Sequence, residues 1–163
     1  MNLLKKFFHT DDSITHLILR VTLGGVFFFH GGQKLMGWFG GYGFDATMGF
    51  FTEKMGIPAL IAFLVIIGES FGALGLITGF LTRLSAAGVV CIMLGAIALV
   101  HKSNGIFMNW SGQLTNWEER LTVEGFEYHL LALAIAIPLI IYGGGKFSVD
   151  QIVEKKFLNT ASS

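Results

Sequence analysis

Arg20, His30 and Lys34 lie on one apolar stretch of the chain, and Glu69 lies midway along the next with Ser70 as its only polar neighbour. An ionisable side chain inside hydrocarbon costs at least about 2.5–3.5 kcal/mol unless it pairs or borders a wet cavity, so such residues mark function by default. The four types are complementary: a guanidinium and an ammonium donate, a carboxylate accepts, and an imidazole passes a proton near neutral pH. At about 1.5 Å per helical residue, Arg20 falls about 8–10 Å from the near end of its stretch and Glu69 about 16 Å from either end of its own. A guanidinium spans that difference, and the spacing predicts an Arg20–Glu69 pair that leaves neither charge bare. His30 and Lys34 are one turn apart at the far end of the first stretch. His101 and Glu127 arrive at the same end from two later stretches, which makes a second polar cluster.

The elements that must hold these residues are read from hydropathy. With 53% hydrophobic and only 13% charged residues over 163 positions, and a mean hydropathy of +0.65, the chain is too apolar for a soluble domain of its size. Four apolar segments approach the length of about 20 residues that a span requires, at roughly Ile14–Met36, Ile57–Leu81, Leu84–Val100 and Phe126–Gly143. The fold class expected is therefore all-α: an integral membrane four-helix bundle of up-down topology with interfacial loop helices, one domain over residues 1–163. Met1 to Ser13 lacks the apolar core of a removed signal peptide, so the first helix is expected to act as an uncleaved signal-anchor, with Asp11, Asp12 or Ser13 as its cap. The formal net charge is zero and there is no basic patch, which excludes a nucleic-acid partner.

An even number of spans puts both termini on one side. Lys5, Lys6, Arg20, Arg83, Lys146, Lys155 and Lys156 fall on that side, against Lys34, Lys54, Lys102 and Arg120 on the other. Seven against four places the termini in the cytoplasm by the positive-inside rule. Between the first two spans, Gly37–Gly56 is rich in glycine and aromatics and is expected to be an interfacial or re-entrant loop with a short amphipathic helix near Asp45–Met55, capped by Asp45. Gly68, Gly72, Gly75 and Gly79 share one face of the second span, and Gly88, Cys91, Gly95 and Ala98 one face of the third. Small residues permit close backbone approach, so these stripes are expected to be packing seams of a tight hairpin turned at Gly79–Arg83, with Cys91 a small core residue. Lys102–Thr122 is the most polar loop, with Asn104, Asn109, Trp110, Trp117, Glu118, Glu119 and Arg120. Pro138 is expected to kink the fourth span, and residues 146–163 form a short amphipathic tail with a frayed end.

The order of short motifs resembles the DoxX family. The first span ends in His30-Gly31-Gly32-Gln33-Lys34, Gly68-Glu69 follows with Gly72 and Gly79, and Arg83 and His101 bound the third span. Gly125-Phe126-Glu127-Tyr128 and Gly143-Gly144-Gly145 with Ser148 and Asp150 complete the pattern, which covers about Ile14–Asp150. The resemblance implies a multi-pass protein of a bacterial inner membrane. It also implies kinship with the DoxD subunit of a thiosulfate:quinone oxidoreductase and with sulfur-handling and oxidative-stress membrane complexes, most members having no established reaction.

A quinone-linked redox role joins that implication to the residues. A quinone needs an aromatic slot, which Phe27, Phe28 and Phe29 offer, donors at its carbonyl oxygens, which His30 or Lys34 offer, and a proton path through Glu69 or Glu127. On this reading His30, Glu69 and Glu127 are the catalytic candidates, and Arg20, Lys34, His101 and Phe28 the binding ones. The single cysteine excludes a CxxC relay, and there is no CxxCH haem-attachment or iron–sulfur motif, so a soluble redox partner enzyme would supply the electrons. Whether the chain is itself an enzyme stays open at this point. So do three rivals: a non-enzymatic membrane scaffold for soluble redox partners, a small proton-coupled carrier built on Arg20 and Glu69, and a b-type haem between His30 and His101. Homo-oligomerisation through the glycine stripes is a further open alternative.

Overall fold

The computed structural model describes residues 3–108 and 124–158. After α1 (Leu3–Phe8), Ser13 opens α2 (Ile14–Met36): its Oγ accepts from the His16 N–H at 3.4 Å. A 3₁₀ turn at Trp38–Gly40 leads into α3 (Gly43–Gly49), which continues as a π-helical turn at Phe50–Lys54. The interfacial helix therefore begins earlier than expected. Asp45 lies inside its first turn and Tyr42 occupies the cap, because the glycine-rich turn ends just before it. Then come α4 (Ala59–Thr78), α5 (Thr82–Ala96, extended by a π turn at Ile97–His101), α6 (Glu127–Tyr142) and α7 (Val149–Val153). The part of the polar loop that holds Asn109, Trp110, Trp117, Glu118, Glu119 and Arg120 lies outside the described residues, as do tail residues 159–163.

Among the described residues, three helices, Ile14–Met36, Ala59–Thr78 and Thr82–Asn104, are long and apolar enough to cross a membrane. The fourth, α6, has 16 residues and so rises about 24 Å, shorter than the others, and runs through Pro138 without ending there. All four supply the core, with Leu23, Phe27, Leu76, Val89, Ala136 and Leu139 buried. Leu60, Phe71, Leu84 and Leu131 are each more than half exposed on the outside, as a lipid-facing surface requires. Helices α2 and α4 approach closely and antiparallel: a Cβ on Gly24 would meet the Ile77 backbone N at 2.9 Å, and one on Gly31 the Ser70 Cα at 2.6 Å. Those two contacts fix their register.

The glycine stripes behave differently from the expected seams. Gly75 is tight against Ser85, but a Cβ on Gly72, Gly88 or Gly95 would meet nothing within 4 Å. Cys91, between Gly88 and Gly95, is exposed rather than in the core. The bundle closes instead on the α2–α4 seam and on Ala86, Val89, Ala132 and Ala136 between α5 and α6.

The end of the bundle that carries α1 and α7 is held by charge on helix termini. The Arg20 guanidinium does not reach Glu69. It is 2% exposed and donates to the Leu76 and Ile77 carbonyls at the end of α4 and to those of Gly144, Lys146 and Phe147 in the segment after α6. The last carbonyls of a helix lack intrahelical partners and carry partial negative charge, and Arg20 donates to those at the end of α4. Asp150 does the converse for α5, accepting from the Leu81 and Thr82 N–H groups at 2.8 Å each. Gly79 lies between them with φ +70°, and a Cβ there would lie 2.5 Å from the Ser148 Cβ. Arg83 donates to the Ile140 and Ile141 carbonyls at the end of α6 and to His9 O. Glu154 ties the tail to the N-terminal lead through His9 Nδ1 at 2.7 Å and the Thr10 N–H at 3.2 Å.

Asp150→Ala removes both acceptors from the start of α5 and is expected to cost about 1–3 kcal/mol, in the range of a lost buried cap. Thermal unfolding in detergent checks this, with Asp150→Asn retaining part of the stability.

Candidate functional site

At the opposite end of the bundle a cavity of about 750 Å³ opens between α2, α4, α5 and α6, with Phe50 and Phe51 of the interfacial helix against it. Most of its lining is apolar, including Ile61, Leu64, Leu99 and the small residues Gly68, Gly88 and Gly95. Polar groups converge on it from four helices. α2 brings His30 and Lys34, α4 brings Glu69, the end of the α5 extension brings His101, and the start of α6 brings Tyr128 and His129.

Lys34 Nζ lies 2.5 Å from Glu69 Oε2, with the carboxylate side chain 7% exposed and the lysine 24%. This is the partner that Glu69 needs, and it replaces the expected Arg20. The Gly31–Ser70 contact brings α2 against α4 one turn from Lys34, and Ser70 Oγ donates to the Ile66 and Gly31 carbonyls at 2.8 and 3.3 Å, pinning the two backbones there. A buried ion pair of this kind adds little net stability, but removing either member leaves the other charge uncompensated.

His30 lies one turn back from Lys34, its ring 6.3 Å from those of Phe27 and Tyr128. Among the described residues the buried Tyr128 hydroxyl has no hydrogen-bond partner, and neither does Nδ1 of His129, a residue only 6% exposed. His101 stacks at a tilt on His129, ring centroids 4.4 Å apart, and its Nδ1 lies 2.7 Å from the Glu124 carbonyl. A carbonyl only accepts, so His101 donates from Nδ1 and its Nε2 is the acceptor in the neutral ring.

The other expected site residues fall elsewhere. Arg20 belongs to the far end of the bundle. Glu127 accepts from the Met108 N–H at 2.9 Å, fastening the polar loop to α6, and does not line the cavity. Phe28 packs against the core and Trp38, and it is Phe27 that forms a cavity wall. Successive helical residues point about 100° apart, so only one of three consecutive phenylalanines faces a given partner. Tyr128 and His129 line the cavity and were not among the expected site residues. The available signal was that Glu127, Tyr128 and His129 open a helix at the level of His101, so at least one had to face inward. Among the described residues no group of three or more His, Cys, Asp or Glu is arranged to hold a metal ion.

The arrangement is an apolar chamber with a polar wall: an ammonium–carboxylate pair, an unsatisfied hydroxyl and three imidazoles. Such a wall can orient a flat polar head by hydrogen bonds and exchange protons with it.

A comparison with family models matches residues 15–102 to the model described as DoxX. The match covers α2 to α5, more than half of the chain, and stops short of the Gly125–Tyr128 and Gly143–Asp150 motifs. No curated protein and no solved structure matches the chain.

Proposed function

The chain belongs to the DoxX family of membrane proteins, and we propose that its cavity binds the head of a quinone and hands it protons while a partner protein supplies the electrons. The observation that carries this reading is the unpartnered Tyr128 hydroxyl beside the Lys34–Glu69 pair, on one wall of an otherwise apolar cavity of about 750 Å³. An orphaned hydroxyl costs about 1–3 kcal/mol, which a ligand carbonyl oxygen accepting from it would recover. Lys34 and His30 are further donors to such an oxygen. Glu69 holds the ammonium in place and can take up and release a proton, and the His101–His129 pair lines the cavity beside it. Phe27 supplies a flat apolar face. A bound quinone would contribute the capacity to accept two electrons and two protons. Because Cys91 is the single cysteine, the electrons would come from a soluble redox enzyme docked on the membrane protein.

The same reading makes the protein multi-pass in a bacterial inner membrane with cytoplasmic termini. Seven of the eleven Lys and Arg residues fall on the terminal side against four on the other. The balance favours the cytoplasm for the termini.

Organic extracts of protein purified in mild detergent test the proposal by mass spectrometry and absorbance. Quinone is expected in the parent and reduced at least about tenfold in His30→Ala and Glu69→Gln, since each loses one of a few orienting contacts. A well-folded parent that carries no quinone and takes none up contradicts the proposal. A Soret band would instead support haem between His30 and His101.

A further inference from the structure

We infer that the small-residue face of α5, opposite Gly68 of α4, is a groove for the apolar tail of the same quinone, open laterally to lipid. This deepens the proposed function and rests on it. The cavity is far larger than a single quinone ring needs: about 750 Å³ lies high in the range of about 300–1,000 Å³ that holds whole drug-sized ligands. Its lining is of two kinds. His30, Lys34, Glu69, His101, Tyr128 and His129 make the polar part, whereas Gly68, Gly88 and Gly95 border it from α4 and α5 together with Leu64 and Leu99, which are 52% and 68% exposed.

The glycines of this wall are not explained by packing, because a Cβ on Gly88 or Gly95 would meet nothing within 4 Å and one on Gly68 only the tip of Ile92. An independent feature points to a ligand in this cavity. His129, which lines it, is more than nine-tenths buried with its Nδ1 unpartnered. A molecule with a hydrogen-bonding head and a long apolar chain fits both halves at once. It would reach the polar wall from within the bilayer without its head crossing water.

Leucine at Gly88 or Gly95 would fill the groove while removing a helix-weakening glycine, so the fold is expected to survive. Gly72→Leu is the control: it belongs to the α4 stripe, has equal open space, and does not line the cavity. The measurement is equilibrium binding, in one detergent, of a decyl-substituted benzoquinone and of tail-less tetramethylbenzoquinone. Gly88→Leu and Gly95→Leu are each expected to weaken the decyl compound at least about tenfold and the tail-less one by less than about threefold, because only the longer molecule collides with the new side chain. Gly72→Leu should change neither.

If both leucine variants bind the decyl compound like the parent, the groove is overturned while the head site stands. If a variant of unchanged melting temperature loses both ligands alike, the glycines border the head chamber and the tail assignment is overturned. If the parent binds neither compound, the proposed function fails and the groove with it.

Discussion

Arg20→Met is expected to destabilise the folded protein by about 3–5 kcal/mol, because a buried charged donor and its five hydrogen bonds are lost. The guanidinium donates to five carbonyls, two at the end of α4 and three in the segment after α6. At the membrane average of about 0.6 kcal/mol per interhelical hydrogen bond these already reach about 3 kcal/mol, and bonds from a charged donor run higher. Methionine keeps much of the volume and donates nothing, so all five carbonyls would lose the bond from Arg20. Arg20→Lys is expected to recover less than half, since one ammonium cannot present the planar fork that reaches all five. Unfolding in detergent, followed by helicity, reads both variants. Stability within about 0.5 kcal/mol of the parent for Arg20→Met, as an ordinary surface change gives, would contradict the bracing role.

Gly31→Leu is expected to combine a loss of stability of about 1–3 kcal/mol with at least a tenfold loss of quinone binding. Any Cβ at this position lies 2.6 Å from the Ser70 Cα and 2.8 Å from the Glu69 carbonyl oxygen, so backbone must move against backbone. The movement separates α2 from α4 one turn from the 2.5 Å Lys34–Glu69 pair. Gly25→Leu on the same helix, where a Cβ would meet nothing within 4 Å, should leave both properties unchanged. Equal effects from the two substitutions would show that the close approach at Gly31 does not position the site.

The register of α2 on α4 explains what the sequence revealed and what it did not. Four apolar segments with embedded charges are legible because bilayer thickness sets their length and hydrocarbon makes each charge conspicuous. The DoxX motifs are legible for the same reason, being glycines and charges at fixed depths. The pairing was not. With Gly24 against Ile77 and Gly31 against Ser70, Lys34 falls level with residue 67, two positions from Glu69, whereas Arg20 falls level with residue 81, beyond the end of α4. Depth reckoned from each segment alone could not supply that offset, and it gave Arg20 the wrong partner. Nor could the sequence show that residues 144–147 fold back to offer Arg20 three carbonyls.

The glycine stripes carried a second ambiguity. A small residue permits either a close neighbour or an empty volume, and composition is the same in both cases. Gly75 took the first course and Gly88 and Gly95 the second, which also put Cys91 on an exposed face. His30, Lys34, Glu69 and His101 were identified from their types and do line the cavity, while Tyr128 and His129 depended on how α6 is rotated.

The most direct measurement is photolabelling with an azido-benzoquinone, followed by peptide mapping of the cross-linked sites. The label is expected on α2 near Phe27–Lys34 and on α6 at Tyr128 or His129, suppressed by excess unlabelled quinone and diminished at least about tenfold in Glu69→Gln, as loss of an orienting contact predicts. Label confined to outward residues such as Leu60 and Leu131, indifferent to competitor and to Glu69→Gln, would contradict a quinone site at the Lys34–Glu69 wall.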